Sequence, residues 1–548
     1  MKKLLIIIFI SCGVIFPQFK QLNYRLQEEI KSLSKISDDT PASNTINDIL
    51  IVGDTVWIAT SRGLSKSTDQ GLNWTNYYQN PAFGTESVSA LAYDKATHSI
   101  WCSLAHSTMA GGQSLPEGSG LRFSTNGGTT WKTVPQPIDA ITDTIEKYGN
   151  DTINALPVTV KIQNISYDVA ITPNVVWIAS FAGGLRKNRI DSLIANPTSH
   201  WSRVILPPDN KYSISPTDTS FDFCLSPASG KYCSTGNLNH RVFSLAVAED
   251  SILYVGTANG INKTTDALKA VNTNFSPSWT KYNHQQNPDS SITGNFVVAL
   301  HYESGSNPKT LWAATWKAED ANESYGVSFS QNGGKNWQKT LVDNKVYNFA
   351  NYQDNTVIPA DNGLYRTSNF GATWLLAGNI VDSKTKSTLQ SSAYYSACFS
   401  EDGKALWIGS GEGLARQVQT GNNSWTSDWQ IFFASQKLTA NSESYAFPNP
   451  YSPKTDVCKI KYSTGGNSQS VTIRIFNFGM KPLRTVIQNA QRGNPTHSVN
   501  TSSNGVNGVI DTWDGKDDAG QVVPNGVYFY RIDVGSNEPV FGKIMVLQ

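Results

Sequence analysis

The chain has 548 residues, a formal net charge of +1 and only 16% charged residues. That length exceeds one ordinary hydrophobic core, so a large repetitive domain with a smaller companion is expected, and the near-neutral balance gives no electrostatic case for a nucleic-acid or strongly anionic partner. Aromatics at 11%, with 15 Trp and 42 Gly, suit short strands and tight turns better than a helical bundle, which makes all-β the expected class.

Met1, Lys2 and Lys3 precede an apolar run from Leu4 to Phe16 that ends at Pro17 and Gln18. This is the charge, length and order of a secretory signal, read as residues 1–18 and removed on export. The run is shorter than the roughly 20 residues a membrane helix needs, so no membrane span is expected in the mature chain. Lipidation at Cys12, after Phe9-Ile10-Ser11, is the alternative, although the position three before the cysteine is not Leu. In the N-terminal segment 19–45, the stretch QLNYRLQEEIKSLSKI (21–36) has helical periodicity and is expected to pack outside the main body.

From 46 to 436 one pattern recurs. An apolar strand ending in a small residue is followed by a short turn and a Gly-apolar pair. The strands are VWIAT (56–60), IWCS (100–103), VWIAS (176–180), LYVGT (253–257), LWAAT (311–315), VIPA (357–360) and LWIGS (406–410). Their pairs begin at Gly63, Gly120, Gly184, Gly260, Gly326, Gly363 and Gly413, and each strand follows another apolar stretch, such as VSALAYD or VFSLAVAED. Inserted loops are expected at 105–119, 138–155 and 209–239.

A sharper motif marks a fourth strand: Ser or Thr, then Asp or Asn at plus two, Gly at plus four and Trp at plus seven. Four copies fit, namely Ser67, Asp69, Gly71 and Trp74; Ser124, Asn126, Gly128 and Trp131; Ser330, Asn332, Gly334 and Trp337; and Thr367, Asn369, Gly371 and Trp374. Thr264 and Asp266 begin a fifth copy that an insertion interrupts before Trp279, and Trp201 and Trp425 or Trp429 close two degenerate ones. The Asp or Asn side chain is expected to bond backbone amides of the turn, with Gly at positive φ and Trp as a lid. Three of the four copies carry Asn, which cannot act as a base, so the shared role is geometric and not catalytic.

These octets resemble the Asp-box of sialidases, xyloglucanase-type glycosidases, sortilin-like receptors and photosystem assembly factors, and the WIAT and WIGS strands resemble the sensor propellers of two-component regulators. The resemblance implies a seven-bladed β-propeller of four-stranded blades. It also implies that the octets lie away from the ligand site, while the loops joining second and third strands face the central opening. On that face it places Arg62, His106, Glu117, Phe181, Asn259, Trp316, Glu319, Asp320, Asp361 and Glu412. Trp316, read as an exposed aromatic beside Glu319 and Asp320, suits sugar binding or hydrolysis. Sialidase chemistry would need an Arg-Ile-Pro signature, which is absent, and two-carboxylate hydrolysis needs a set separation that sequence does not supply. No HExxH, GxSxG or GxxxxGK[ST] occurs. Cys102, Cys224, Cys233, Cys398 and Cys458 show no zinc spacing, so neither metal nor cofactor is expected. Cys224 and Cys233, flanking CLSPASGKYC, form either a local disulfide in an oxidising compartment or two buried thiols.

After residue 436 the pattern becomes strand-rich, with FPNP (Phe447, Pro448, Asn449, Pro450), VTIRIFN, and a run containing Trp513, Asp514, Gly515, Asp517, Gly520, Gly526 and Tyr528. This region, 437–548, resembles the immunoglobulin-like domain of flagellar hook-capping proteins and the C-terminal domain of type IX secretion cargo. Asp514 and Asp517 are read as turn residues and not as calcium ligands. The whole chain is therefore expected to be all-β, a propeller followed by a small immunoglobulin-like β-sandwich. The resemblance implies a protein secreted or held on the outer surface of a Gram-negative bacterium, which binds a glycan or protein ligand and meets secretion machinery through its C-terminal domain. The alternatives are a secreted glycoside hydrolase using Glu319, Asp320, Asp361 or Glu412, and an envelope scaffold.

Overall fold

The computed structural model describes residues 40–284, 290–317, 322–382, 388–389, 391–419, 425–434, 438, 443–454, 457–465, 467–493 and 509–548. The signal-like run, the 21–36 stretch, Glu319 and Asp320 lie outside them.

Among the described residues up to 432, seven antiparallel sheets follow one another, each containing a meander of four consecutive strands, with two two-stranded sheets beside them. Sheet one is Ile46–Val52, Thr55–Thr60, Gly63–Ser67 and Thr75–Asn76; sheet two is Ser87–Asp94, Ser99–Ala110, Gln113–Ser124 and Lys132–Val134. Sheets three to seven open with Ser166–Thr172, Val242–Ala248, Phe296–Glu303, Ala350–Tyr352 and Tyr394–Phe399. The recurrent pentapeptides are the second strands and are buried almost throughout, because each sheet packs on both faces. Every first strand packs against the first strand of the next sheet, and that of sheet seven against that of sheet one, so the first strands form a closed cycle.

The cycle is stitched by side chains. Six of the first strands carry a register shift near their start, at Ile46/Asp48, Val88/Ala90, Ser166/Asp168, Val242/Ser244, Val297/Ala299 and Tyr394/Ser396. A bulge of this kind bends the strand and re-aims a side chain. Here it lets Asn47 Nδ2 donate to Val88 O at 2.8 Å, Ser89 Oγ to Ser166 O at 2.8 Å, and Ser244 Oγ to Val297 O at 3.4 Å. Asp48 accepts from Leu91 N at 3.0 Å, and Asp168 from Leu245 N at 2.8 Å. Desolvation nonetheless raises both carboxyls to about 7, since their depth in the protein outweighs the amide bonds that favour the charged form. Among the described residues no strand is exchanged at the closure. Sheets one and seven are each contiguous in sequence, and they meet through Ile46, Ile49, Ile51, Trp407, Leu414 and Phe432, with Ala434 N donating to Asn44 Oδ1 at 2.6 Å.

The four octets share one turn. In each, the amide of the Gly donates to the Ser or Thr hydroxyl at 2.8–3.0 Å, and the residue before Trp donates its amide to the Asp or Asn Oδ1 at 2.9–3.0 Å. The interrupted copy keeps this bond across its insertion, where Ser278 N reaches Asp266 Oδ2 at 3.2 Å. Each turn is also a joint with the preceding sheet. Gly128, at φ +88°, leaves room for Tyr77 and Trp57 of sheet one; the other three octet glycines do the same for Phe432, Tyr282 and Thr340. Lys66, stacked over Trp57 at 5.2 Å, donates to Gly127 O at 2.8 Å, and Lys263, over Tyr254 at 5.5 Å, donates to Gly333 O at 2.9 Å.

The three insertions differ from simple loops. Residues 105–119 continue the second and third strands of sheet two as a two-stranded ribbon closed by Gly111 and Gly112, both at positive φ. Within 138–155, Ile145–Tyr148 and Asp151–Asn154 pair as a hairpin, anchored by Arg186 and Arg203 on Asp139. In 209–239, Ser213–Ile214 adds a fifth strand to sheet four, and the sulfurs of Cys224 and Cys233 are joined across a Cα separation of 5.6 Å.

Beyond residue 443 two further sheets enclose one core. One contains Ser444–Phe447, Cys458–Tyr462 and Val509–Trp513; the other contains Pro482–Arg492, Gln469–Phe476, Gly526–Val534 and Val540–Val546. Asp514 Oδ1 accepts from Lys516 N at 3.1 Å and Asp517 Oδ1 from Gln521 N at 2.8 Å, with Gly515 and Gly520 at positive φ. Trp513 is buried and donates to Lys516 O, while the Tyr528 hydroxyl donates to Pro524 O. Asn449, flanked by Pro448 and Pro450, clasps Val540–Val546 by donating to Lys543 O and accepting from Met545 N. Gly526 begins the strand that pairs with Val540–Val546.

Candidate ligand-binding face

The connections between second and third strands share one end of the cycle with the residues that lead into the first strands. Ser61 N bonds Thr45 O at 3.2 Å, Ala258 N bonds Arg241 O at 3.0 Å, and Asp361 N bonds Lys345 O at 3.0 Å. The octets, between third and fourth strands, lie at the opposite strand ends.

On this face His106 and Glu117 are direct partners across the sheet-two ribbon. His106 Nε2 lies 3.7 Å from Glu117 Oε2, while Nδ1 is 3.0 Å from Glu86 Oε2 and 2.9 Å from Ser119 Oγ. Ser119 also donates to Glu86 Oε2 at 2.6 Å. Glu86 sits in the link between sheets one and two, so the cluster ties the base of the ribbon to its neighbour. Serine and carboxylate both meet the same ring nitrogen. That is not the relay geometry of a nucleophile, which places them on opposite nitrogens; it makes a half-exposed platform of hydrogen-bonding groups. Glu86 and Ser119 carried no signal in the sequence.

The other expected residues scatter. Arg62 is 5% exposed and lies over the Tyr78 ring, so it does not line an open surface. Phe181 is half-buried beneath Arg241, and Asn259 is a half-buried turn residue whose amide bonds Thr257. Asp361 is half-buried, whereas Glu412 is exposed and accepts from Ser391 N at 2.7 Å. Trp316 requires a correction: it is 2% exposed, donates Nε1 to Val346 O at 2.8 Å and carries Lys345 over its ring at 4.3 Å. It ends its strand pointing into an aromatic chain, Phe181, Phe243, Phe296, Trp316, Tyr347 and Tyr395, with centroids 4.6–6.4 Å apart. It is a core residue and not a sugar platform. In the same connection Glu323, 4% exposed, accepts from Asn295 Nδ2 at 2.7 Å, and its Oε2 has no hydrogen-bond partner among the described residues. Among those residues no group of three or more His, Cys, Asp or Glu side chains is placed to hold a metal ion. No described helix is long and apolar enough to cross a membrane.

The described chain is almost entirely β, built of small antiparallel sheets. No protein-family model matches it, and neither does any curated protein. Among solved structures it is similar to PorZ, described as an essential bacterial surface component of the type-IX secretion system of Porphyromonas gingivalis, at 12% identity over 92% of this chain and 75% of that one, TM-score 0.26. It is similar also to YCF48 from Cyanidioschyzon merolae, at 13% over 71% and 98%, TM-score 0.40. A third is the extracellular domain of BT4673 from B. thetaiotaomicron, at 11% over 92% and 86%, TM-score 0.29.

Proposed function

We propose that the chain is an exported, cell-surface seven-bladed β-propeller that binds a glycan or protein ligand on the face carrying His106, and that residues 437–548 form an immunoglobulin-like module engaging a type IX-like secretion machinery. The observation that carries the reading is the closed cycle of seven first strands, with the inserted ribbon and the strand-two-to-three connections gathered at one end. Propeller ligands dock on such loop-bearing rims, because rigid sheets hold variable connections in fixed positions. The two sheets around Trp513, Tyr528 and Ile532 support the reading of the C-terminal module. Export through residues 1–18 rests on the charge and length of that run, and contact with the secretion machinery on the sequence resemblance of the C-terminal module.

The test has two arms. The purified chain is titrated with a panel of plant, host and bacterial polysaccharides, with binding and new reducing ends both measured. Binding without hydrolysis, weakened at least tenfold in a Glu86→Gln/Glu117→Gln variant, supports the reading. Hydrolysis lost on changing Asp361 or Glu412 replaces it with glycosidase chemistry. In cells, truncation from Phe447 is expected to abolish delivery to the exterior, and unchanged delivery refutes the role given to the module.

A further inference from the structure

The sheet-two ribbon has two edges of different character. In an antiparallel ribbon closed by a two-residue turn, the pair flanking the turn is hydrogen-bonded and the pairs then alternate. The turn is Gly111-Gly112, so Ala110/Gln113, Thr108/Leu115 and His106/Glu117 are the bonded pairs, and Met109/Ser114 and Ser107/Pro116 are the non-bonded ones. Pro116 has no N–H and is tolerated only at such a position. It follows that Ser107 and Met109 each turn an N–H and a C=O away from the ribbon, and both residues are exposed, Met109 at 72%.

The first strand of sheet two covers this edge only as far as Ser87, which faces Ala105. From His106 to Ala110 no strand pairs with it among the described residues. None of the usual guards of an edge, a lysine, a proline or an inward charge, stands in that stretch, which reads His-Ser-Thr-Met-Ala. The opposite edge is already met by backbone of the same chain, at the turn 161–164. Gly118 N bonds Lys161 O at 3.1 Å, Gln163 N bonds Pro116 O at 2.7 Å, and Glu117 bridges Ile162. One edge of the ribbon thus already makes backbone bonds to another part of the chain, while the other presents the same groups to solvent.

We infer that the His106–Ala110 edge captures an extended polypeptide segment by β-strand addition, backbone to backbone. This makes protein and not glycan the ligand class at this end of the face, and it rests on the reading of that face as a binding surface. The outward groups of Ser107 and Met109 supply the pairing. Met109, unbranched and adaptable, meets apolar side chains of differing shape. Glu86 and Glu117 flank the inner end of the edge and accept from donors on the incoming segment.

The test uses the full chain and an array of synthetic 12-residue peptides, with the strongest binder then titrated in solution. Met109→Pro and Ser107→Pro delete one outward N–H each at positions where the ribbon does not use it, as Pro116 shows on the facing strand. Met109→Ala keeps the backbone and removes the side chain. The inference predicts that each proline variant weakens the peptide at least tenfold, that Met109→Ala weakens it no more than threefold, and that the Ser107 and Met109 amides gain exchange protection when peptide binds. It also predicts that a peptide N-methylated at alternate residues loses binding. Absence of any binding peptide, unchanged affinity in both proline variants, or equal losses in Met109→Pro and Met109→Ala would each overturn it. Polysaccharide binding that survives while peptides fail removes this inference and leaves the proposed function standing.

Discussion

Replacing Gly128 by Ala tests whether the octet is an inter-sheet joint or only a turn. At φ +88° a side chain costs about 1–2 kcal/mol in backbone strain alone. The added Cβ would also stand 2.9 Å from Trp57 Cη2 and closer still to the Tyr77 hydroxyl, both in the preceding sheet. Tyr77, Phe83 and Trp131 are interlocked there, with centroids 4.9–5.5 Å apart, so little of that surface can give way. Overpacking of a fixed core adds about 1–3 kcal/mol, for a total of about 2–5 kcal/mol. Gly53→Ala is the matched control: its φ is +55°, and nothing lies within 4 Å of the added carbon, so only the strain of about 1–2 kcal/mol is expected. Urea unfolding followed by tryptophan fluorescence reads both. Equal losses in the two variants would refute the joint.

Three further outcomes are expected. Arg186→Ala strands Asp139, which is 3% exposed and held below the usual carboxylate range chiefly by its bonds to Arg186; a loss of about 3–5 kcal/mol in urea unfolding is expected, and a loss under 1 would show that Arg203 suffices alone. The raised Asp48 and Asp168 carboxyls mean that the folded state holds their protons more tightly than the unfolded one, so stability falls as pH rises from about 4 to about 7, by up to about 4 kcal/mol per group. His301, lowered to about 4 by burial, acts in the opposite sense, so the readout is the difference between wild type and Asp48→Asn, whose slope in that window is expected to be shallower; identical slopes refute the assignment. Cys233→Ser frees a loop of nine-residue separation at a cost of about 2–3 kcal/mol, seen as faster amide exchange in residues 224–237 with the first strands unchanged.

The octets were legible because their chemistry is local: a hydroxyl, an amide or carboxylate, a glycine and an indole at fixed offsets specify one turn whatever surrounds them. The interrupted copy shows the same logic, since Asp266 finds Ser278 N although eleven residues intervene. What those turns dock against was hidden, because Gly128 and Tyr77 belong to different sheets. In the sequence the ribbon reads as a loop, since its strands are short of apolar residues, and only Gly111-Gly112 hints at a two-residue hairpin. His106 and Glu117 stand apart in the sequence; their pairing depends on register, and Glu86 enters from another link altogether. The sequence does not place Trp316, because the last residue of a strand faces either side depending on how the chain leaves it, and periodicity is silent there.

That sheets one and seven are each built from continuous sequence bears on how the molecule is made. No strand formed early must wait for one translated last. A growing chain can complete each meander in turn and stack it on its predecessor, passing through open arcs with an unmet sheet face at either end. The final step is the meeting of two finished surfaces, so an arc lacking its last member is a natural point for a neighbouring copy to dock by mistake, and the seam is where assembly errors would concentrate.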